Sequence, residues 1–264
     1  MTDLAKYGPW AVIAGGSEGV GAEFADQLAA DGFNLLLVAR KPGPLEETAE
    51  KVRGAHGVEV RTVSADLTDP AAVKEITDAT SDVEVGLLIY NAGANSYGGA
   101  FLEGELEGFQ GVIDLNVTAM LALTHHYARP MKERGRGGII LIGSLAGYVG
   151  TTSESIYGGV KAFSRVFAEG LWSELREYGV DVLEFVLGLT RTPAMVRAGL
   201  NFDVPGVAVT EPVDAAREAL AAITDGPVQV ISTGAKVVEM RSTPDRAKLV
   251  LGTEKVMKMM VPRH

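Results

Sequence analysis

Seven short apolar runs, each set off from the next by a segment with helical spacing, constrain the fold of this chain before any motif is read. The runs are 10–14 (WAVIA), 34–39 (NLLLVA), 58–64 (VEVRTVS), 86–90 (GLLIY), 138–143 (GIILIG), 180–187 (VDVLEFVL) and 228–232 (VQVIS). Helix-like segments lie at about 20–31, 44–56, 70–80, 105–133, 154–178, 212–224 and 244–258. Strands that are apolar almost throughout, rather than alternating, are those covered on both faces. Interleaved with helices, they predict a doubly wound α/β fold, a parallel sheet of about seven strands with helices on each side. At 264 residues the chain suits one such domain. No repeat, low-complexity tract or linker interrupts it, so residues 1–264 read as one domain.

Two segments break the rhythm. Residues 188–210 (GLTRTPAMVRAGLNFDVPGVAVT) form a long apolar connection punctuated by Pro and Gly, a length typical of functional lids. They are expected to form a substrate loop. Residues 239–264 form a C-terminal extension with six Arg or Lys. It reads as an exposed helix begun at Thr243-Pro244, Pro suiting a first turn; its charges read as a solvated face, or as a flap or partner contact.

Composition narrows the function. A net charge of -10 argues against nucleic acid or an anionic membrane as the main partner. The absence of cysteine removes disulfide, thiolate-nucleophile and thiolate-metal chemistry. His125 and His126 have no matching carboxylate cluster, so no metal site is expected. The opening MTDLAKYGPW does not read as an export signal, and the most apolar stretches fall short of a membrane span. The expectation is a cytoplasmic enzyme or binding protein.

Gly15, Gly16, Gly19 and Gly21 crowd the turn between the first strand and first helix. Glycine loses the most freedom on folding, so four within seven residues call for a reason. Backbone N–H groups and the helix dipole at such a turn favour an anion, and glycines let a pyrophosphate approach closely. The spacing is G-x-x-x-G-x-G; a tight turn without ligand would also use it. Arg40 and Lys41 follow the second strand, where an acidic residue would bind the 2′-hydroxyl of NAD. Arg pairs bidentately with phosphate, which favours NADP(H). A carboxylate at Glu18 would weaken a nearby 2′-phosphate unless it turns away, and Ser17 could donate to that phosphate.

The reactive groups come later. Among seven tyrosines, only Tyr157 has a lysine four residues on, Lys161 (YGGVK), on the same helix face. A neighbouring ammonium lowers a phenol's pKa and makes it a usable acid and base. By itself such a pair is equally a surface Tyr and Lys. Ser144 ends the fifth strand, placed to donate to a substrate carbonyl oxygen. Asn116, among Leu115, Val117 and Met120, needs a partner if buried; a water or backbone group would serve.

With these residues in order, the chain resembles the short-chain dehydrogenase/reductase family over about residues 8–195. AGGSEGVG stands for the family's TGxxxGxG, ADL at 65–67 for its adenine-site element, YNAG for NNAG, YGGVK for YxxxK and LGLTRT for PGxxxT, with Asn116 and Ser144 in place. The resemblance implies a Rossmann-type sheet and catalysis by Ser144, Tyr157, Lys161 and Asn116. Ser144 would polarise the carbonyl and Tyr157 transfer the proton. Lys161 would lower the Tyr pKa and hold the nicotinamide ribose, and Asn116 would hold a relay water. It implies cofactor contacts at Gly15, Ser17, Gly19, Val20, Gly21, Arg40, Lys41, Asp66, Leu67, Asn91, Ala92, Gly93, Tyr157, Lys161, Leu189 and Thr192. Three departures stand out: Ala14 for Thr and Tyr90 for Asn, each expected to lose a side-chain hydrogen bond, and Leu187 for Pro.

Leu189, Pro193, Met195, Val196, Leu200, Phe202 and Val204 make the 188–210 connection apolar, as in pockets for apolar ligands. The overall likeness is to NADP-dependent hydroxysteroid dehydrogenases, with a bulky hydrophobic ketone or secondary alcohol as the small-molecule, hydrophobic substrate. A 3-oxoacyl thioester reductase is the enzymatic alternative, and a non-catalytic NADP(H) sensor the alternative from another class. The long segments 105–133 and 154–178, with Phe163, Val166, Phe167 and Leu171, resemble the family's subunit-bundle helices and imply a homodimer or homotetramer.

Overall fold

A computed structural model describes residues 2–260. Its strands are β1 (Trp10–Ala14), β2 (Asn34–Ala39), β3 (Val60–Ser64), β4 (Val85–Tyr90), β5 (Gly137–Ser144), β6 (Val180–Leu187), β7 (Leu189–Thr190), β8 (Val209–Thr210) and β9 (Val228–Val230). The larger helices are α2 (Gly19–Ala30), α3 (Pro42–His56), α4 (Pro70–Asp78), α5 (Leu106–Ile113), α6 (Ala119–Arg134), α7 (Ser155–Leu175), α9 (Pro212–Ala221) and α11 (Arg246–Met260). Short helices α1 (Leu4–Tyr7), α8 (Pro193–Arg197) and α10 (Ala235–Arg241) complete the set. Local chemistry sets many of the ends. Pro42, Pro70 and Pro212 open their helices, where a missing N–H costs nothing. Asp69 caps α4 by accepting from Ala71 N at 2.9 Å.

Seven strands form one parallel sheet in the order β3-β2-β1-β4-β5-β6-β9. The seven apolar runs and this sheet coincide. β1 and β4 are buried at every position, as the unbroken apolar patterns require. Alternate residues feed two cores. Ala11 and Ile13 pack with Phe24, Leu28 and Leu45 from α2 and α3 and with Ala216 from α9; Val12 and Ala14 pack with Ile76, Leu123 and Ala168 from α4, α6 and α7. The order reverses between β1 and β4, whose ends pair at Ala14 and Tyr90. A crevice at such a reversal is where these sheets take ligands.

The structure corrects four expectations about elements. The single helix over 105–133 is interrupted by a π-turn at Asp114–Thr118 that contains Asn116. Such turns re-aim side chains and collect at functional sites. The 188–210 connection is not irregular throughout: β7 pairs with β8, and α8 lies between them. The exposed helix expected from Thr243-Pro244 is present but starts at Arg246, and the first residues of the extension, from Glu239, belong to α10 instead. The extension's charges are not simply solvated. Arg241 donates to Leu145 O at 2.5 Å and Arg246 to Tyr148 O at 2.7 Å, satisfying carbonyls of the turn after β5.

Candidate active site

The glycine turn is shaped by contacts that exclude any side chain. Gly15 and Gly19 have φ of +85° and +56°, a region L-residues avoid. A Cβ on Gly21 would stand 1.8 Å from Gly15 O. Asn91, just beyond β4, donates its side-chain amide to Gly15 O at 2.8 Å, and the N–H groups of Asn91 and Ala92 both reach Ala14 O. The turn after β4 therefore holds the turn after β1 in place. Glu18 precedes α2 without capping it through its side chain, so the first N–H groups of α2 remain available to an anion. Ser17 is half-buried beside them; Val20 turns into the core, leaving only its backbone to face the turn.

Glu18 does not extend toward the end of β2. Arg197 of α8 grips it bidentately at 2.5 and 2.8 Å, and this guanidinium holds the Glu18 carboxyl below its ordinary range. Thr192 caps α8 and would lie 3.2 Å from a Cβ on Gly19. The start of the 188–210 segment, with Leu189 in β7, is thereby fastened over the glycine turn. Arg40 and Lys41 are exposed at the end of β2, and Arg40 reaches Asp66 at 3.7 Å. Asp66 is held in a turn by Thr68, whose backbone N–H is the main cause of its lowered pKa; Leu67 is buried beneath.

Four reactive side chains converge at the carboxyl edge of β4 and β5. Ser144 ends β5 and accepts from Ala146 N at 3.1 Å. Tyr157 and Lys161 sit one turn apart on α7, with Lys161 Nζ 5.7 Å from the Tyr157 ring centre. Lys161 is buried and donates to Ile142 O at 2.9 Å. Asn116 donates to Val112 O at 2.9 Å and Ala94 O at 3.2 Å. Its Oδ1 is buried without a partner, an arrangement that calls for a water or ligand atom. A Cβ on Gly93 would lie 2.7 Å from that oxygen and 2.8 Å from Lys161 Nζ. Asn116 and Lys161 thus face one small space that only a glycine leaves open.

Burial, rather than the neighbouring ammonium, is the largest influence on the Tyr157 phenol in this structure. Burial pushes Tyr157 up to about 12, with Ser144 drawing it down and Glu154 adding to the rise. Burial likewise pulls Lys161 down to about 8. Desolvation outweighs a cation 5.7 Å from the ring centre, so the phenol stays protonated at neutral pH while Lys161 titrates nearer to it.

Tyr90 also behaves differently from expectation. Its hydroxyl donates to Leu115 O at 2.6 Å, anchoring the π-turn that carries Asn116. The departure from Asn therefore gains a bond.

Sequence reasoning passed over Glu184, Glu154 and Arg197, and read Arg241 as part of a solvated face, a flap or a partner contact. Of these, Glu184 had a visible signal, a carboxylate inside the apolar run VDVLEFVL. The others are brought to the site by loop geometry that spacing does not encode.

The residues present fit a dinucleotide: a turn emptied of side chains, free helix N–H groups, and an unpartnered Asn116 oxygen beside an ammonium. Comparison with known proteins agrees. The short chain dehydrogenase family model matches residues 9–201. A 7β-hydroxysteroid dehydrogenase from Collinsella aerofaciens is 34% identical over 191 residues, 72% of each chain. A very-long-chain 3-oxoacyl-CoA reductase from Scheffersomyces stipitis is 38% identical over 214 residues, 76% of this chain and 62% of that one. Among solved structures, one of a 7β-hydroxysteroid dehydrogenase superposes with a TM-score of 0.87 at 27% identity, covering 97% of this chain and 100% of the other. A short-chain dehydrogenase from Sphingobium yanoikuyae in complex with NADPH gives 0.78 at 33% identity, over 93% and 96%.

Proposed function

This chain belongs to the short chain dehydrogenase family, and from that premise we propose that it is an NADP(H)-dependent oxidoreductase interconverting a bulky hydrophobic ketone and its secondary alcohol, with hydroxysteroids as the substrate class. The observation that carries this reading is the convergence of Ser144, Tyr157, Lys161 and the open Asn116 oxygen next to the glycine turn.

Gly15, Ser17, Gly19, Val20 and Gly21 would hold the pyrophosphate side of the cofactor. Asp66, Leu67, Asn91, Ala92 and Gly93 would border the adenosine. Tyr157, Lys161, Leu189 and Thr192 would border the nicotinamide half. Arg40 and Lys41 would take the 2′-phosphate, Arg40 exchanging its long contact with Asp66 for a charge-assisted fork. Glu18 does not oppose this, because Arg197 already neutralises it. Bound there, the dinucleotide supplies the hydride in reduction and accepts it in oxidation.

The side chains do the rest. Ser144 donates to the substrate oxygen as negative charge gathers on it. Tyr157, a neutral phenol at neutral pH, gives its proton to that oxygen during reduction and receives one during oxidation. Lys161 favours the phenolate when protonated, and a water held between its Nζ and Asn116 Oδ1 returns the proton from solvent.

Apolar side chains near this centre support the hydroxysteroid reading. Met195 and Val196 of α8 present exposed apolar side chains, 36% and 55% accessible. Phe202 lies under Arg191, with 4.5 Å from guanidinium to ring, and Val204 is buried, so the wall uses fewer residues than the apolar spacing implied. The extension completes it: Glu254 of α11 bonds Thr152, and Asn201 reaches Met259 O at 3.2 Å. α11 therefore ties the loop before α7 to the 188–210 segment, and this tie would help enclose a large apolar substrate.

A 3-oxoacyl thioester reductase remains the second reading, favoured by the 38% identity to the very-long-chain 3-oxoacyl-CoA reductase. NADPH oxidation with a bulky oxosteroid beside a 3-oxoacyl thioester, with NADH in parallel, separates them. Steroid turnover with NADPH is expected. Turnover of the thioester alone transfers the function to that class, and NADPH binding without turnover on a wider ketone panel indicates a sensor.

A further inference from the structure

Glu184 lies in the middle of β6, paired across the ladder with Leu141 of β5. It shares a sheet face with Val180 and Val182, which pack against the α6–α7 layer. It is 1% accessible, and among the described residues it and Lys161 are the only fully buried charged side chains. Neither carboxylate oxygen has a hydrogen-bond partner. Ser164 is close enough to favour the ionised form, yet its hydroxyl turns toward the Met120 sulfur at 3.8 Å. A carboxylate in this position is costly to keep unless a charge answers it.

The answering charge is found through β5. A Cβ on Gly143 would stand 2.6 Å from Glu184 Oε1, so this glycine makes room for the carboxylate. The peptide unit entering Gly143 is the one whose carbonyl, Ile142 O, accepts from Lys161 Nζ at 2.9 Å. Carboxylate and ammonium therefore flank neighbouring atoms of one strand. On α7 the other charges near Glu184 are Arg165, which favours its ionised form, and Glu169, which opposes it. The strand neighbours Leu141, Gly143 and Val228 carry no charge.

Resting on the oxidoreductase reading above, we propose that Glu184 is a positioning residue for the reaction: it faces Lys161 from β6 and keeps that buried side chain an ammonium, the form that favours the Tyr157 phenolate and binds ribose hydroxyls. Glu184 touches neither substrate nor cofactor; it acts through Lys161. The electrostatics agree in direction. Burial pulls Lys161 down and Glu184 raises it; burial pushes Glu184 up to about 7 and Lys161 lowers it.

The test is the titration of Lys161 itself, followed by lysine 13Cε NMR on the cofactor-free protein, in wild type and Glu184→Gln. Gln has nearly the same shape and strands no existing hydrogen bond. Removing an opposite charge at this range moves a pKa by about 1–3 units. Lys161 is therefore expected to lose its proton at least about one unit lower in the variant. The alkaline limb of the kcat/KM profile for NADPH-dependent reduction should move down with it, leaving rates below that limb within about twofold. Glu184→Asp keeps the charge and should leave Lys161 close to its wild-type titration; if Glu184→Gln does not fold, Glu184→Met, of similar length and without charge, carries the test with the same expected fall in the Lys161 titration. An unchanged Lys161 titration in a folded Glu184→Gln protein overturns the proposal. A shifted titration with no turnover even in wild type would leave the pair intact and refute the oxidoreductase reading instead.

Discussion

Single residues carry the chemistry here because of what surrounds them. Tyr157, Lys161 and Ser144 were legible as candidates only as an ordered set with Asn116 and the glycine turn. The four-residue spacing and the strand-end place alone read equally as a surface pair and a turn serine. The pKa values of Tyr157 and Lys161 were not legible, because burial depends on tertiary packing that spacing does not reveal. The same holds for Arg40, whose type and position favour a 2′-phosphate, while its contact with Asp66 at 3.7 Å emerges only when β2 and β3 lie side by side. Replacing Arg40→Asp puts a carboxylate where an adenosine ribose hydroxyl would lie. The ratio of kcat/KM for NADPH over NADH is expected to fall at least tenfold, about 1.4 kcal/mol of discrimination. An unchanged ratio in steady-state kinetics would remove Arg40 from cofactor selection.

At the scale of elements, the glycine turn, the π-turn and the 188–210 segment build the site together. Asn91 holds the first, Tyr90 the second, and the Glu18–Arg197 fork ties the third across the first. The strands were readable to within two residues at their starts, since unbroken apolar runs leave little freedom. The π-turn was not: one extra residue in a helical turn changes no composition, and Asn116 looked like a polar intruder in one long helix. The pairing of β7 with β8 escaped notice because two-residue strands leave no periodicity. The Glu18–Arg197 pair is exposed, so its loss should change global stability little. Arg197→Ala is expected to loosen α8 from the glycine turn and raise the NADPH dissociation constant several-fold. Binding as tight as wild type, measured by quenching of intrinsic fluorescence, would show that the fork does not secure the segment over the cofactor.

The described residues form one seven-stranded sheet between two cores, with the start of the 188–210 segment fastened beside the glycine turn at its carboxyl edge. No helix among the described residues is long and apolar enough to cross a membrane. Phe163 and Val166 stand exposed on α7, 41% and 60% accessible, with the Phe163 ring stacked on Phe167 at 6.1 Å. Apolar side chains in such a cluster favour burial against another surface. A homodimer or homotetramer joined through this face is expected, and light scattering at micromolar concentration that returns a monomer mass would exclude it. In the proposed reaction Tyr157, placed by α7 against Ser144, transfers the proton that accompanies hydride transfer. The deciding measurement is NADPH oxidation with a bulky oxosteroid, wild type beside Tyr157→Phe. Turnover by wild type, its loss by roughly a thousandfold or more in the variant, and nearly equal NADPH affinity in both are expected. A Tyr157→Phe protein that turns over at the wild-type rate would remove Tyr157 from the proton transfer.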